Sequence, residues 1–167
     1  SIDFKNPDYD AVFTQRLKVL DRIRQDPKAT ASIITDMKAV YREYPAQFIV
    51  DWGVTIDPRN IDIGMPAVMP FILFDRQVEL IDWILESWRA RVNGTMPKSR
   101  DMGATWMIGM TFLWRFLFHE HESFLVGSRK EEYVDNGADP KSIFWKLRFA
   151  IQNLPAWIVP AITECYP

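Results

Sequence analysis

The chain has 167 residues, 48% hydrophobic and 25% charged, with a formal charge of −2 and one cysteine. That length suits one domain able to bury roughly 70% of its unfolded surface. The near-neutral charge excludes global attraction to nucleic acid, so any such contact must come from a local patch. A lone Cys165 excludes an internal disulfide and fits a reducing compartment.

Residues 10–44 read as two amphipathic helices, with Phe13, Leu17, Leu20 and Ile23 on one stripe and Ile33, Met37, Val40 and Tyr44 on the other. "QDPKATAS" separates them, "PAQFIVDW" reads as a short third helix, and "TIDPRNIDIGMPAVMP" reads as a punctuated connector. A further helix opens near Asp75, the expected N-cap, with Val78, Ile81, Leu85 and Trp88 on its stripe. "ARVNGTMP" is a weak strand candidate, since Asn93, Gly94 and Pro97 all disfavour a central strand. An apolar helix over 104–118 follows; it contains Arg115 and falls short of the ~20 residues a membrane span needs. "SFLVGS" (123–128) reads as a short strand. Asp139–Pro140 is the expected start of a last helix carrying Phe144, Leu147, Ile151 and Leu154, which ends at Pro155. Strand, loop, helix, strand and helix from residue 91 onward describe a βαβ unit with a parallel sheet. Two strands are few for such a sheet, so the chain reads as the front part of something longer.

Between that first strand and the apolar helix lies "KSRDMGATW" (98–106). Phosphate loops gather backbone N–H groups on anionic oxygens at a helix N-terminus, with a hydroxyl placed for Mg²⁺. Gly103 and Thr105 supply the glycine and the hydroxyl, but Ala104 stands where the usual lysine would be. Lys98 and Arg100 lie upstream, and either can bring charge back to the phosphates. From Glu86 to Asp101 the chain carries four basic residues and no acidic one between them. The "HEHE" of 119–122 invites a metal reading, yet i, i+2 residues leave a helix on different faces.

The segments "ILFDRQVELIDWI", "KSRDMGATWM", "FLVGSRKEEYVDNGADPKSIFWKLRF" and "LPAWIVP" resemble, in this order, the large subunit of tailed-phage terminases over about residues 45–160. The resemblance implies an α/β fold: a P-loop NTPase-like parallel core, incomplete here, preceded by an N-terminal helical segment. The division expected is 1–74 for helices and connector and 75–167 for the front of the ATPase domain. It implies ATP and Mg²⁺ as cofactors, with Gln77 at the adenine and projecting toward solvent or ligand. Lys98 or Arg100 would serve the phosphates, and Ser99, Arg100, Asp101, Met102, Gly103, Ala104 and Thr105 would form the cradle. The Thr105 hydroxyl would touch the metal. Ser128, Arg129 and Lys130 sit where DNA or a neighbouring subunit can be met. Implied partners are double-stranded DNA, the small terminase subunit and the portal, with no membrane, in the cytoplasm of a bacterial host. The family's second acidic ATPase motif and nuclease cluster do not occur in the 167 residues, so this portion is expected to bind nucleotide and hardly hydrolyse it. The alternatives are a non-catalytic helical interaction module of a packaging complex and a helicase-like ATPase fragment.

Overall fold

Asp8 opens the first helix by accepting the Ala11 amide hydrogen at 2.9 Å, filling an N-terminal donor the helix cannot satisfy itself. The computed structural model describes residues 7–99 and 102–159. Helix α1 (Tyr9–Gln25) and helix α2 (Pro27–Glu43) are separated by Asp26 alone. The break is therefore shorter than "QDPKATAS", because Pro27 is tolerated at a first helical position. Thr30 Oγ1 donates to the Ile23 and Asp26 carbonyls, both at 2.6 Å, and closes the corner.

Helix α3 (Pro45–Trp52) matches the expected third helix. It stops at Gly53, where a Cβ would lie 2.4 Å from the Ile49 carbonyl oxygen. The stretch expected as a mere connector instead forms a hairpin. Strand β1 (Val54–Ile56) pairs antiparallel with β2 (Val68–Pro70), Thr55 opposite Met69. A 3₁₀ helix over Pro58–Ile63 joins them, started by Asp57, whose Oδ1 accepts the Arg59 amide, and ended by Gly64 at φ +75°.

Helix α4 (Asp75–Ala90) and helix α5 (Ala104–Phe118) lie where expected, followed by α6 (Glu131–Val134) and α7 (Ile143–Gln152). Their caps differ from expectation. Phe74, not Asp75, is the N-cap of α4, and Ser142, not Asp139, caps α7 by accepting the Trp145 amide hydrogen. Asp139 caps the preceding turn instead, through the Lys141 amide at 2.9 Å.

The fold is mostly helical, with one two-stranded antiparallel sheet among the described residues. Neither 91–97 nor 123–128 forms a strand, so the predicted βαβ unit is not present as a hydrogen-bonded sheet. The physical reason differs at the two places. In 91–97, Gly94 lies against the Trp83 ring, where an added Cβ would fall 2.4 Å from ring carbons, so the segment covers a helix face. In 122–127 burial does alternate: Glu122, Phe124 and Val126 are half-buried, while Ser123, Leu125 and Gly127 are exposed. That is the period of a strand, but no neighbour among the described residues completes its ladder.

Helix α5 occupies the centre, packed by α2, α3, α4 and α7. The core joins Tyr41, Phe48, Ile49 and Trp52 to Ile81, Leu85, Met107, Met110 and Trp114, so residues on both sides of position 74 share it. The N-terminal stripes are less buried than their periodicity suggests. Leu17, Val40 and Tyr44 are exposed, whereas Tyr41 of α2 is buried. α1 contains no fully buried residue and lies on the outside, so Val19 and Leu20 meet the core only partly.

Buried polar groups fix the helices to one another. Trp114 Nε1 donates to the Tyr41 carbonyl at 2.5 Å, and Trp52 Nε1 donates to the Tyr41 hydroxyl at 2.8 Å. That hydroxyl donates to Asp51 Oδ2 at 2.9 Å, and Arg16 donates to the Val50 and Gly53 carbonyls. Such pairing offsets the desolvation that burial of these groups costs.

Candidate nucleotide site

Gly103 is the N-cap of α5 and takes φ +72°, a left-handed conformation that disfavours any residue with a Cβ. Its carbonyl accepts the Met107 amide at 3.0 Å and starts the helix. No side chain among the described residues caps α5, so none of them fills the first-turn amide donors at its positive dipole end. Thr105 is exposed in that first turn, while Ala104 is buried against the core.

The loop forms one wall of a cavity of about 640 Å³, a volume in the range of small-ligand sites. Lys98, Met102, Gly103, Ala104 and Thr105 stand on the loop side. Thr55, Asp57, Arg59 and Asn60 face them from the hairpin, with Trp106 and Lys146 from α5 and α7. A second cavity of about 440 Å³ lies on the loop's other side, lined by Trp83, Met96, Pro97, Ser99 and Met107 among others. The structure thus brings Gln77, Lys98, Met102, Gly103, Ala104 and Thr105 to one cavity and Ser99 to its neighbour. Arg100 and Asp101 lie outside the described residues.

Gln77 does not project into solvent as its first-turn position suggests. It is 7% exposed, and its amide is engaged at both ends. Oε1 accepts the Phe74 amide hydrogen at 3.0 Å, and Nε2 donates to the Met102 carbonyl at 3.2 Å. The first bond is the reciprocal half of a capping box; phenylalanine has no oxygen to return the second. Gln77 therefore latches the loop onto α4 at the edge shared by both cavities.

The cations differ in setting. Lys98 Nζ donates to the Ser99 carbonyl at 3.1 Å and is exposed. Lys146 is half-buried, its pKa lowered by burial and partly held up by Asp139. Opposite, hydrogen bonds from Arg59 hold the Asp57 carboxyl below the usual carboxylate range. Sequence reasoning missed the hairpin wall and Lys146. "TIDPRN" carries turn chemistry but no periodicity, and a lysine in an amphipathic helix reads as an outward residue.

The HEHE stretch is dispersed. The His119 ring packs on Trp114 with centroids 4.8 Å apart, Glu122 pairs with Arg115, and His121 points into solvent. Among the described residues no cluster of three His, Cys, Asp or Glu side chains could hold a metal. Arg129 lies over the Tyr133 ring at 5.2 Å and, with Ser128 and Lys130, stands exposed. No helix among the described residues is long and apolar enough to cross a membrane.

Comparisons with protein-family models, with characterised proteins and with solved structures yield no match.

Proposed function

We propose that this chain is the nucleotide-holding part of a terminase large subunit, an ATP-driven motor that translocates double-stranded DNA into a viral shell. The observation carrying the reading is the left-handed Gly103 at the uncapped start of α5, facing a cavity that also receives Lys98 and Thr105. In this reading the α5 amides and Lys98 or Arg100 hold the phosphates, and the adenine meets the cavity edge at Gln77. The described residues fit Mg²⁺ only as an ion carried by the phosphates: Thr105 offers an exposed hydroxyl, and no carboxylate cluster accompanies it. Bound there, Mg²⁺ would neutralise phosphate charge.

The finer fold belongs to the same proposal. Segments 91–98 and 122–127 flank α5 as the strands of a P-loop-like parallel sheet would, their ladder partners coming from the full-length motor. The alternating burial of 122–127 and the 96% exposure of Leu125 support it. The small terminase subunit and the portal are the partners this reading entails, in a bacterial host cytoplasm. A second reading, a helical interaction module, is favoured by the exposed Phe13 and Leu17 on α1; loss of partner capture by Leu17→Asp with ATP binding intact would support it.

The test is thermal unfolding with ATP–Mg²⁺. Ligand at a hundred times Kd is expected to raise the melting temperature by on the order of 5–10 °C. Lys98→Ala combined with Arg100→Ala is expected to remove most of that shift. An unmutated chain that does not respond to several millimolar ATP–Mg²⁺ sinks the reading.

A further inference from the structure

Among the described residues Lys146 has no carboxylate within ion-pair distance, and it is set in the wall of the cavity that the loop also lines. α7 packs along α5 and brings the Lys146 ammonium to 6.0 Å from the ring of Trp106, in the first turn of α5. It therefore stands beside the start of α5, whose first residues, Ala104 and Thr105, line the cavity.

The ammonium is fixed in place by neutral acceptors. Nζ donates to the Pro140 carbonyl at 2.6 Å and to the Ser142 carbonyl at 3.4 Å. An ammonium has three donors, so one remains beyond these two carbonyls. No carboxylate of a described residue lies within 4.0 Å of it, whereas Lys130, Arg115 and Arg148 each have one. Asp139 influences it only at longer range. A half-buried charge whose direct hydrogen-bond partners are carbonyls gains from an anion in the adjoining space. The same cavity is lined by Lys98 and by Thr105 in the first turn of α5, where a cation, a hydroxyl and a helix N-terminus each favour an anion.

We propose that Lys146 binds the phosphates of the nucleotide, supplying from α7 the charge that Ala104 cannot supply from the loop. The proposal rests on the nucleotide reading and adds to it a residue 42 positions beyond Ala104. Lys98 then approaches the polyphosphate from the loop side and Lys146 from the α7 side.

The experiment measures binding of ATP and adenosine to the 167-residue chain by calorimetry, for the unmutated protein, Lys146→Met and Lys146→Arg. Lys146→Met keeps the apolar stem and removes the charge. Losing one charge-assisted bond is expected to weaken ATP about tenfold or more and to leave adenosine within about twofold. Lys146→Arg is expected to keep ATP within about threefold of the unmutated protein. A second readout needs no variant: ATP or inorganic tripolyphosphate should slow acetylation of Lys146 several-fold, and adenosine should not. Unchanged ATP affinity in Lys146→Met, equal losses of ATP and adenosine, or no protection from acetylation would each overturn the proposal. An unmutated chain that binds ATP while Lys146→Met binds equally well removes this inference alone. An unmutated chain that binds no ATP removes the nucleotide reading with it.

Discussion

Replacing Gln77 by glutamate separates the two functions of its amide, because glutamate keeps the acceptor and loses the donor. In the parent, Oε1 accepts from Phe74 N–H and Nε2 donates to the Met102 carbonyl. Gln77→Ala removes both bonds at a buried position and costs about 2–3 kcal/mol, at roughly 0.5–1.5 kcal/mol per bond plus lost packing. Gln77→Glu still accepts the Phe74 proton. Its negative charge also sits in the first turn of α4, where the helix dipole returns about 0.3–1 kcal/mol against the cost of burying it. The global cost is therefore expected to be smaller, about 1 kcal/mol. The loop contact, in contrast, is lost in both variants, since an ionised carboxylate repels the Met102 carbonyl.

Two assays separate these effects. Urea unfolding reports the global cost: a loss of 2–3 kcal/mol lowers the midpoint by about 1 M at an m-value near 2 kcal/mol/M. Limited trypsin digestion at pH 8, where the introduced carboxyl is ionised, reports the loop through cleavage after Lys98. Expected are an unfolding midpoint for Gln77→Glu between those of the parent and Gln77→Ala, and faster cleavage in both variants. If Gln77→Glu matches Gln77→Ala in urea, the capping argument is wrong. If it is cleaved at Lys98 no faster than the parent, the latch argument is wrong.

Two further changes test the frame around the site. Gly103→Ala places a Cβ on a residue at φ +72° and 3.2 Å from Gln77 Nε2. It is expected to cost about 1–2 kcal/mol in urea unfolding, with faster cleavage at Lys98. Burial raises the Asp51 pKa, against the hydrogen bonds from Tyr41 and Gln47 and the Arg16 charge, which lower it. The folded chain thus holds this proton to higher pH than the unfolded chain does. Asp51 is then expected to make stability fall as pH rises from the ordinary carboxylate range, about 4, up through its raised value. Asp51→Asn should flatten that segment of the stability–pH profile measured by urea unfolding between pH 4 and 7; a profile of unchanged slope would refute the assignment.

The sequence makes the middle helices legible for local reasons. An apolar run opening after Gly103, and a stripe of Val78, Ile81 and Leu85, carry their own period and punctuation; α5 begins and ends where that pattern puts it, and α4 is capped one residue earlier, at Phe74. The hairpin is hidden because three-residue strands containing or flanking proline and glycine show no alternation worth reading. The expected strands at 91–97 and 123–128 fail for the converse reason. A strand is defined by its neighbour, and composition cannot supply one. The burial of Gln77 is a tertiary effect as well: its partner Met102 lies 25 residues away, and nothing in the first turn of α4 announces that a loop will fold over it.

The same geometry ties the walls of the site to the core. α5 is fixed in the core by Met107, Met110 and Trp114, and the Trp114 bond to the Tyr41 carbonyl ties it to α2 across 73 positions. Tyr41 in turn joins Trp52 and Asp51 on α3, which leads directly through Gly53 into β1 of the hairpin wall. The two walls of the cavity therefore refer to one rigid body. Met102 is joined to α4 through the Gln77 amide, and a Cβ on Gly103 would lie 3.2 Å from the same Gln77 Nε2. Substitution of Gln77 therefore acts on the contact between Met102 and α4 without touching the core residues that fix α5. That is why its substitution tests the site more sharply than any change to the loop's own charges.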